Sequence, residues 1–303
     1  MNKKPKLIVV LGPTATGKTR LGVGLCVKFN GEIVSADSRQ VYKGMDVGTG
    51  KDLEEYKNIS YHLIDVVSPN VRFDLARYQK QAFQAIDDIL LREKQPFLIG
   101  GTGLYIQAVV DNYNLSDIDP DEKLRKKLNE LSVDQIIKRL EKISKLSKKD
   151  FQEVAHEKNK RRLVRYLEYC LTTKKSLKNL FKKNKPKYDL LILGLTCSKE
   201  ELNKKIDKRL LKWLNEEDLL GEVEKLHRQG VSWKRFEEFG LEYKWASFYL
   251  QGKIGYQEMQ ELISCDIKKF AKRQMTWFKR DKRIKWIKNE KQAEKLTKEF
   301  LKS

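Results

Sequence analysis

Eight residues near the N-terminus, Gly12, Pro13, Thr14, Ala15, Thr16, Gly17, Lys18 and Thr19, match G-x-x-x-x-G-K-[ST] at every fixed position. Glycines there let backbone N–H groups turn inward around an anion, and a helix starting at the loop adds its positive dipole end. Lys18 supplies a point charge. The Thr19 hydroxyl is placed to hold Mg²⁺ or a phosphate oxygen. Such a loop holds a phosphorylated ligand, and nothing in it selects ATP.

A second polar stretch, SADSRQVYKGMDVGTGK (residues 35–51), begins where an apolar run ends. A carboxylate at Asp37 could bind Mg²⁺ or act as a general base on an incoming nucleophile. Ser38, Arg39 and Gln40 add donors and acceptors that suit a nucleobase edge. GGTGLY (residues 100–105) is a third turn whose glycines permit close backbone approach. An ordinary nucleotide hydrolase would also show an acid at the end of an apolar strand. FLIGGTG has none, and HLIDVV offers Asp65 inside the run rather than at its end. That pattern argues against an ATPase or GTPase.

These segments need a scaffold that brings them to one edge. LIVVL (residues 7–11), EIVSA (32–36), HLIDVV (62–67), PFLIGG (96–101) and YDLLILGLTC (188–197) read as buried strands. Helical patterns such as TRLGVGLCVKF and RYQKQAFQAIDDILLREK alternate with them. The expected fold is therefore α/β, a phosphate-loop core with a parallel sheet covered by helices. Ligands of such sheets bind at the carboxyl ends of the strands. The polar stretch NYNLSDIDPDEK reads as a boundary, and only Lys-rich helical patterns follow until KKNKPK. This predicts an all-helical insertion domain over 116–185 inside a core made of 1–115 and 186–303. From Ser198 onward the chain reads as helical and basic.

The formal net charge is +21. Residues 1–110 carry 15 basic against 11 acidic side chains, and residues 111–303 carry 48 against 31. An excess confined to one part of the chain suggests a polyanionic partner docking there. Near the C-terminus, Ile267, Phe270, Ala271, Met275 and Phe278 recur at helical spacing, with Lys272 and Arg273 among the basic residues crowding the other faces. Cys26, Cys170, Cys197 and Cys265 form no metal-binding spacing and read as reduced thiols of a cytoplasmic protein. No apolar stretch approaches membrane-spanning length, so no membrane partner is expected.

The ordered set GPTATGKT, SADSRQVYKGMDVGTGK, HLIDVVSP and IGGTGLY resembles the bacterial tRNA dimethylallyltransferases, also called tRNA isopentenyltransferases. The resemblance continues at HEKNKRRLVRYLEYCLTTKKSL (156–177), KIDKRLLKWL (205–214) and AKRQMTWFKRD (271–281), so it spans nearly the whole chain. It implies transfer of a dimethylallyl group from dimethylallyl diphosphate to N6 of the adenosine 3′ of the anticodon, in tRNAs reading codons that begin with U. The phosphate loop would then hold a diphosphate leaving group, with Mg²⁺. An adenylate isopentenyltransferase acting on free AMP, ADP or ATP is the alternative; it would use the same loop and base but needs no large basic surface.

By that resemblance Asp37 is the general base, and Lys18, Thr19 and Arg209 act on the diphosphate. Asp37, Ser38, Arg39 and Gln40 read the extruded acceptor nucleotide. Thr102, Arg125, Lys160, Arg161, Arg162, Arg165, Lys272 and Arg273 stand at positions implied to contact the anticodon stem-loop. The resemblance also implies a monomer. Three departures stand out: Lys205 where the family usually has Arg, Trp213 at a Met-like position, and Gly50 where Ala is common.

Overall fold

Alternate residues of a strand point to opposite sides of a sheet, so a strand that is apolar throughout must be covered on both. The computed structural model, which describes residues 3–115, 121–181 and 184–303, obeys that rule. The chain begins with β1 (Lys6–Leu11), α1 (Lys18–Lys28), β2 (Gly31–Ser35), β3 (Tyr61–His62), α2 (Leu75–Leu91), β4 (Gln95–Gly100) and α3 (Gly103–Val110). A run of helices follows: α4 (Glu122–Glu130), α5 (Val133–Ile143), α6 (Lys148–Ala155), α7 (Lys160–Thr173) and α8 (Lys178–Phe181). The chain then forms β5 (Asp189–Leu195), α9 (Lys199–Asn215), α10 (Leu219–Arg228), α11 (Trp233–Phe239), α12 (Leu241–Leu250), α13 (Tyr256–Phe278), β6 (Lys285–Ile287) and α14 (Glu290–Lys302).

The strands form one sheet in the order β3-β2-β4-β1-β5-β6, with every pair parallel. Leu7, Val9 and Leu11 enter one core with α2, α3 and the helices α9 to α13. Ile8 and Val10 enter a second core on the other face, with α1 and α14. This is the expected α/β architecture, and it sets the phosphate loop, residue 37 and the GGTG turn at the same sheet edge.

Two details differ from the sequence reading. HLIDVV is a strand only at its start, because Leu63 and Asp65 adopt left-handed φ of 64° and 55°. The bend lets the backbone of residues 65–67 pair with Gln40 and Val41 instead of the sheet. The tail expected to be wholly helical contributes β6, which pairs with β5. Its three residues are too few for a period to register.

The chain divides into two compact units, Met1–Val110 with Lys187–Ser303, and Asp111–Pro186. Parts of the expected boundary stretch (residues 116–120) and of KKNKPK (182–183) lie outside the described residues. The helical unit packs Leu128, Ile136, Leu140, Leu163 and Leu167 around its own core. Inside it the Glu168 carboxylate is fully buried. It accepts two hydrogen bonds from Arg125, at 2.9 and 2.8 Å, one from Arg165 at 2.8 Å and one from the Asp121 N–H at 3.0 Å. Burial pushes the carboxyl up, but the two guanidiniums outweigh it and hold it below its ordinary range. Glu168→Ala should therefore lower the stability of this unit by about 2 kcal/mol; breaking a fully dry pair costs more, and both arginines here touch solvent. Unchanged hydrogen-exchange protection in α7 of that variant would show the cluster to be dispensable. Among the described residues no helix is long and apolar enough to cross a membrane.

Candidate active site

The phosphate loop leaves β1 and enters α1 with no side-chain cap on the helix, so the first amides of α1 stay open to a ligand. Gly12 is dictated by space: a Cβ there would lie 2.6 Å from the Leu195 carbonyl oxygen. Thr16 donates from its hydroxyl to the Pro13 carbonyl at 2.8 Å, and Lys18 donates from Nζ to the same oxygen at 2.7 Å. Burial pushes the Lys18 ammonium down to about 8; nearby Asp37 opposes that shift and Arg209 adds to it. A bound anion would raise it again.

The loop is held from far along the chain. Gln274 on α13 accepts from the Thr14 N–H at 2.9 Å and donates to the Gly101 carbonyl at 2.8 Å. One amide thus ties the phosphate loop to the GGTG turn. Thr102 in that turn accepts from the Ser38 N–H at 3.0 Å, which ties the turn to the segment after β2.

That segment is anchored at several points. Asp37 Oδ1 accepts from the Arg39 N–H at 2.8 Å. Gln40 spends its amide internally, accepting from Ser35 Oγ at 3.1 Å and donating to the Gly50 carbonyl at 3.2 Å. Lys51 is buried and donates to Asp46, to Asp65 and to the Tyr42 carbonyl. Asp65 is therefore half of a structural ion pair. Glu222 on α10 accepts from the Asp46, Val47 and Gly48 N–H groups at 2.7, 2.6 and 3.3 Å, and from the Tyr243 hydroxyl at 2.6 Å.

Arg209 reaches the same place from α9. Its guanidinium lies 4.3 Å from the Trp213 ring centroid, so the residue at the Met-like position serves as its platform. Burial lowers the Arg209 pKa, and Asp52, Glu242 and Asp37 counter that. A Cβ on Gly50 would lie 3.1 Å from Arg209 Nη2, and Gly50 has a φ of 58°. Ala at this position would press on the guanidinium. Lys205 pairs with Glu201 at 2.7 Å and borders the larger cavity described below.

These side chains line two cavities that share a wall. The larger, about 1050 Å³, contains Lys18, Thr19, Tyr56 and Lys212. The smaller, about 510 Å³, contains Ser38, Arg39, Thr102, Glu242 and Arg273. Thr14, Asp37, Thr49, Arg209, Trp213 and Phe270 border both. Lys18, Thr19 and the loop give the larger cavity a corner that can hold an anion, beside carboxylates such as Asp52, Glu55 and Glu217, and Asp37 stands in the wall between the two cavities.

The remaining candidates are distributed differently. Lys272 is exposed on α13. In the helical unit Arg161 is exposed, Arg162 pairs with Glu157 at 2.9 Å, and Lys160 donates to the Asn129 carbonyl at 2.7 Å. Arg125 and Arg165 face inward to Glu168, as described. Sequence reasoning missed Gln274, Trp213, Tyr56 and Glu242 as parts of the site. Each lies in a helix or turn whose local pattern reads as packing, although Gln274, inside AKRQMTWFKRD, and Trp213, inside KIDKRLLKWL, stood in stretches that the resemblance had singled out.

Residues 40–281 match the family described as IPP transferase. The tRNA dimethylallyltransferase 1 of Syntrophus aciditrophicus (strain SB) is 40% identical over 290 residues, 93% of each chain. The tRNA dimethylallyltransferase of Carboxydothermus hydrogenoformans is 40% identical over 305 residues, 98% of this chain and 96% of its own. The crystal structure of the full-length tRNA isopentenylpyrophosphate transferase from Bacillus halodurans superposes with a TM-score of 0.71 at 33% identity, over 99% of this chain and 96% of that one. A eukaryotic dimethylallyltransferase acting on tRNA gives a TM-score of 0.77 at 28% identity, over 90% of this chain and 70% of its own. Similarity that runs the length of the chain, on a sheet edge furnished for an anion, leads to one conclusion: the chain belongs to the IPP transferase family.

Proposed function

We propose that this protein transfers a dimethylallyl group from dimethylallyl diphosphate to N6 of the adenosine 3′-adjacent to the anticodon, in tRNAs reading codons that begin with U. The observation that carries the reading is the shared wall, which sets Asp37 and Arg209 between a phosphate-loop cavity and a second polar cavity. In the reaction the bond from the prenyl C1 to the diphosphate oxygen breaks, and its electron pair leaves with the diphosphate. The N6 lone pair forms the new bond to C1, and one N6 proton passes to Asp37.

Loop amides, Lys18 and Arg209 stabilise the charge that develops on the leaving group. Thr19 would hold Mg²⁺ together with the diphosphate oxygens, and the ion would neutralise part of that charge. A single hydroxyl fits this ion because Mg²⁺ commonly keeps several waters and takes its other ligands from substrate phosphates. Ser38, Arg39 and Thr102 border the acceptor cavity. Gln40 lines the larger cavity instead, and its amide is used within the loop. Lys160, Arg161, Arg162, Lys272 and Arg273 meet phosphates of the anticodon stem-loop, and the helical unit serves as a tRNA grip. Arg125 and Arg165 contribute by holding that unit in shape.

The relatives named above are tRNA enzymes, and the basic excess of residues 111–303 suits a polynucleotide better than a free nucleotide. The test offers the purified protein Mg²⁺ and dimethylallyl diphosphate with either unmodified tRNA or AMP, and weighs the nucleosides by mass spectrometry. Prenylated adenosine from tRNA alone is expected. Prenylated AMP with untouched tRNA would overturn the reading.

A further inference from the structure

Glu242 is a carboxyl that the reaction above does not use. It sits in the first turn of α12, only 4% exposed, and lines the smaller cavity beside Asp37, Ser38, Arg39 and Thr102. Among the described residues its carboxyl receives a hydrogen bond only from its own backbone N–H. A carboxyl bonded only within its own residue and lining a cavity keeps donor and acceptor capacity for a ligand. Phe239, Trp213 and Phe270 supply flat apolar walls in the same space. The cavity therefore offers a planar aromatic guest an apolar lining and a carboxyl.

We propose that Glu242 reads the acceptor base: its protonated carboxyl donates to a ring nitrogen of the flipped adenine and accepts from the exocyclic amine. The assignment rests on the tRNA reading above and deepens it. The N6 amine has two hydrogens. One is lost to Asp37 when the prenyl group arrives, and the other stays in the product. Glu242 accepts the retained hydrogen, so its contact persists through bond formation and fixes the ring while the amine reacts. The paired donor and acceptor match the edge that Asn or Gln reads on adenine elsewhere.

Protonation is in reach near neutrality. Burial pushes the Glu242 carboxyl up to about 7, while Arg39 and Arg209 pull it down and Asp37 pushes it further up. Lys244, Asp266 and Arg273 are the other charged groups around this cavity, and the Tyr243–Glu222 pair packs beside it. Below about 7 the carboxyl carries the proton it must donate. Above that value the donor is lost and a carboxylate faces the ring nitrogen.

The test measures dissociation constants for two anticodon stem-loops, one with adenosine at the acceptor position and one abasic there, between pH 5.5 and 8.5. Wild type should bind the adenosine form more tightly, with the preference shrinking above pH 7. Glu242→Ala should lose roughly 5- to 150-fold in affinity for the adenosine form, the worth of a two-bond base contact, and nothing for the abasic one. Glu242→Gln, which keeps donor, acceptor and volume at every pH, should retain the preference and flatten its pH dependence; it also keeps the test open if the Ala variant folds poorly. An Ala variant equal to wild type, or a Gln variant with the wild-type pH profile, would overturn the proposal and leave the enzyme's function intact. Wild type that binds both stem-loops equally would overturn base capture by this cavity, and the tRNA reading would still stand or fall on the mass-spectrometric assay.

Discussion

Asp37→Asn is expected to lower turnover by about 10²- to 10⁴-fold, the scale of losing a positioned general base. The amide keeps the size of the carboxylate and can still accept from the Arg39 N–H, so the turn after β2 should survive. Affinity for tRNA and for dimethylallyl diphosphate should change little, because the proton acceptor matters most when the N6–C1 bond forms. A loss confined to kcat is the signature of an interaction made mainly in the transition state. Single-turnover measurements with saturating tRNA would isolate that step. Undiminished turnover would remove Asp37 from the chemistry and leave it as a helper of loop shape.

Arg209→Ala should cost about 10²- to 10³-fold in kcat, in the range found for removing one preorganised donor from a developing oxyanion. The effect is large because Arg209 is half-buried in the walls of the two cavities, where its charge is less screened than at the open surface. Arg209→Lys should restore only part of the loss. Lysine cannot present a planar fork, and it stacks less well on the Trp213 ring that supports the guanidinium. Both variants should keep the wild-type circular dichroism spectrum, since Arg209 lines open cavities. Full activity in Arg209→Lys would mean that any positive charge suffices there. Full activity in Arg209→Ala would assign the leaving-group role to Lys18 and the loop amides alone.

The element boundaries around the site follow from local rules that a single sequence displays. An apolar run ending in a glycine-rich loop reads as a buried strand followed by a turn into a helix, and β1 and α1 take those places in the structure. The same rule placed Asp37 at the carboxyl end of β2 and the GGTG turn at the end of β4. Each is decided by residues adjacent in the chain, because strand period, glycine content and helix start are short-range properties. The charge imbalance was equally plain, since it is a sum and needs no geometry.

What only the tertiary structure decided is which distant side chains meet. Gln274 ties to a loop 260 residues away, and Glu222 reaches the 46–48 amides from more than 170 away. No local spacing encodes such pairs; they arise because helices α9 to α13 pack over one face of the sheet and lower their side chains onto its edge. Arg125 and Arg165 show the converse. Their residue type suggests a phosphate contact, yet a carboxylate buried in the same helical unit claims both, because an unpaired Glu168 there would be far more costly than two arginines withdrawn from solvent. Glu242 is the clearest case: in sequence it is one acid in a helix, and only the closing of α12 over the second cavity takes it out of water and gives it a base to read.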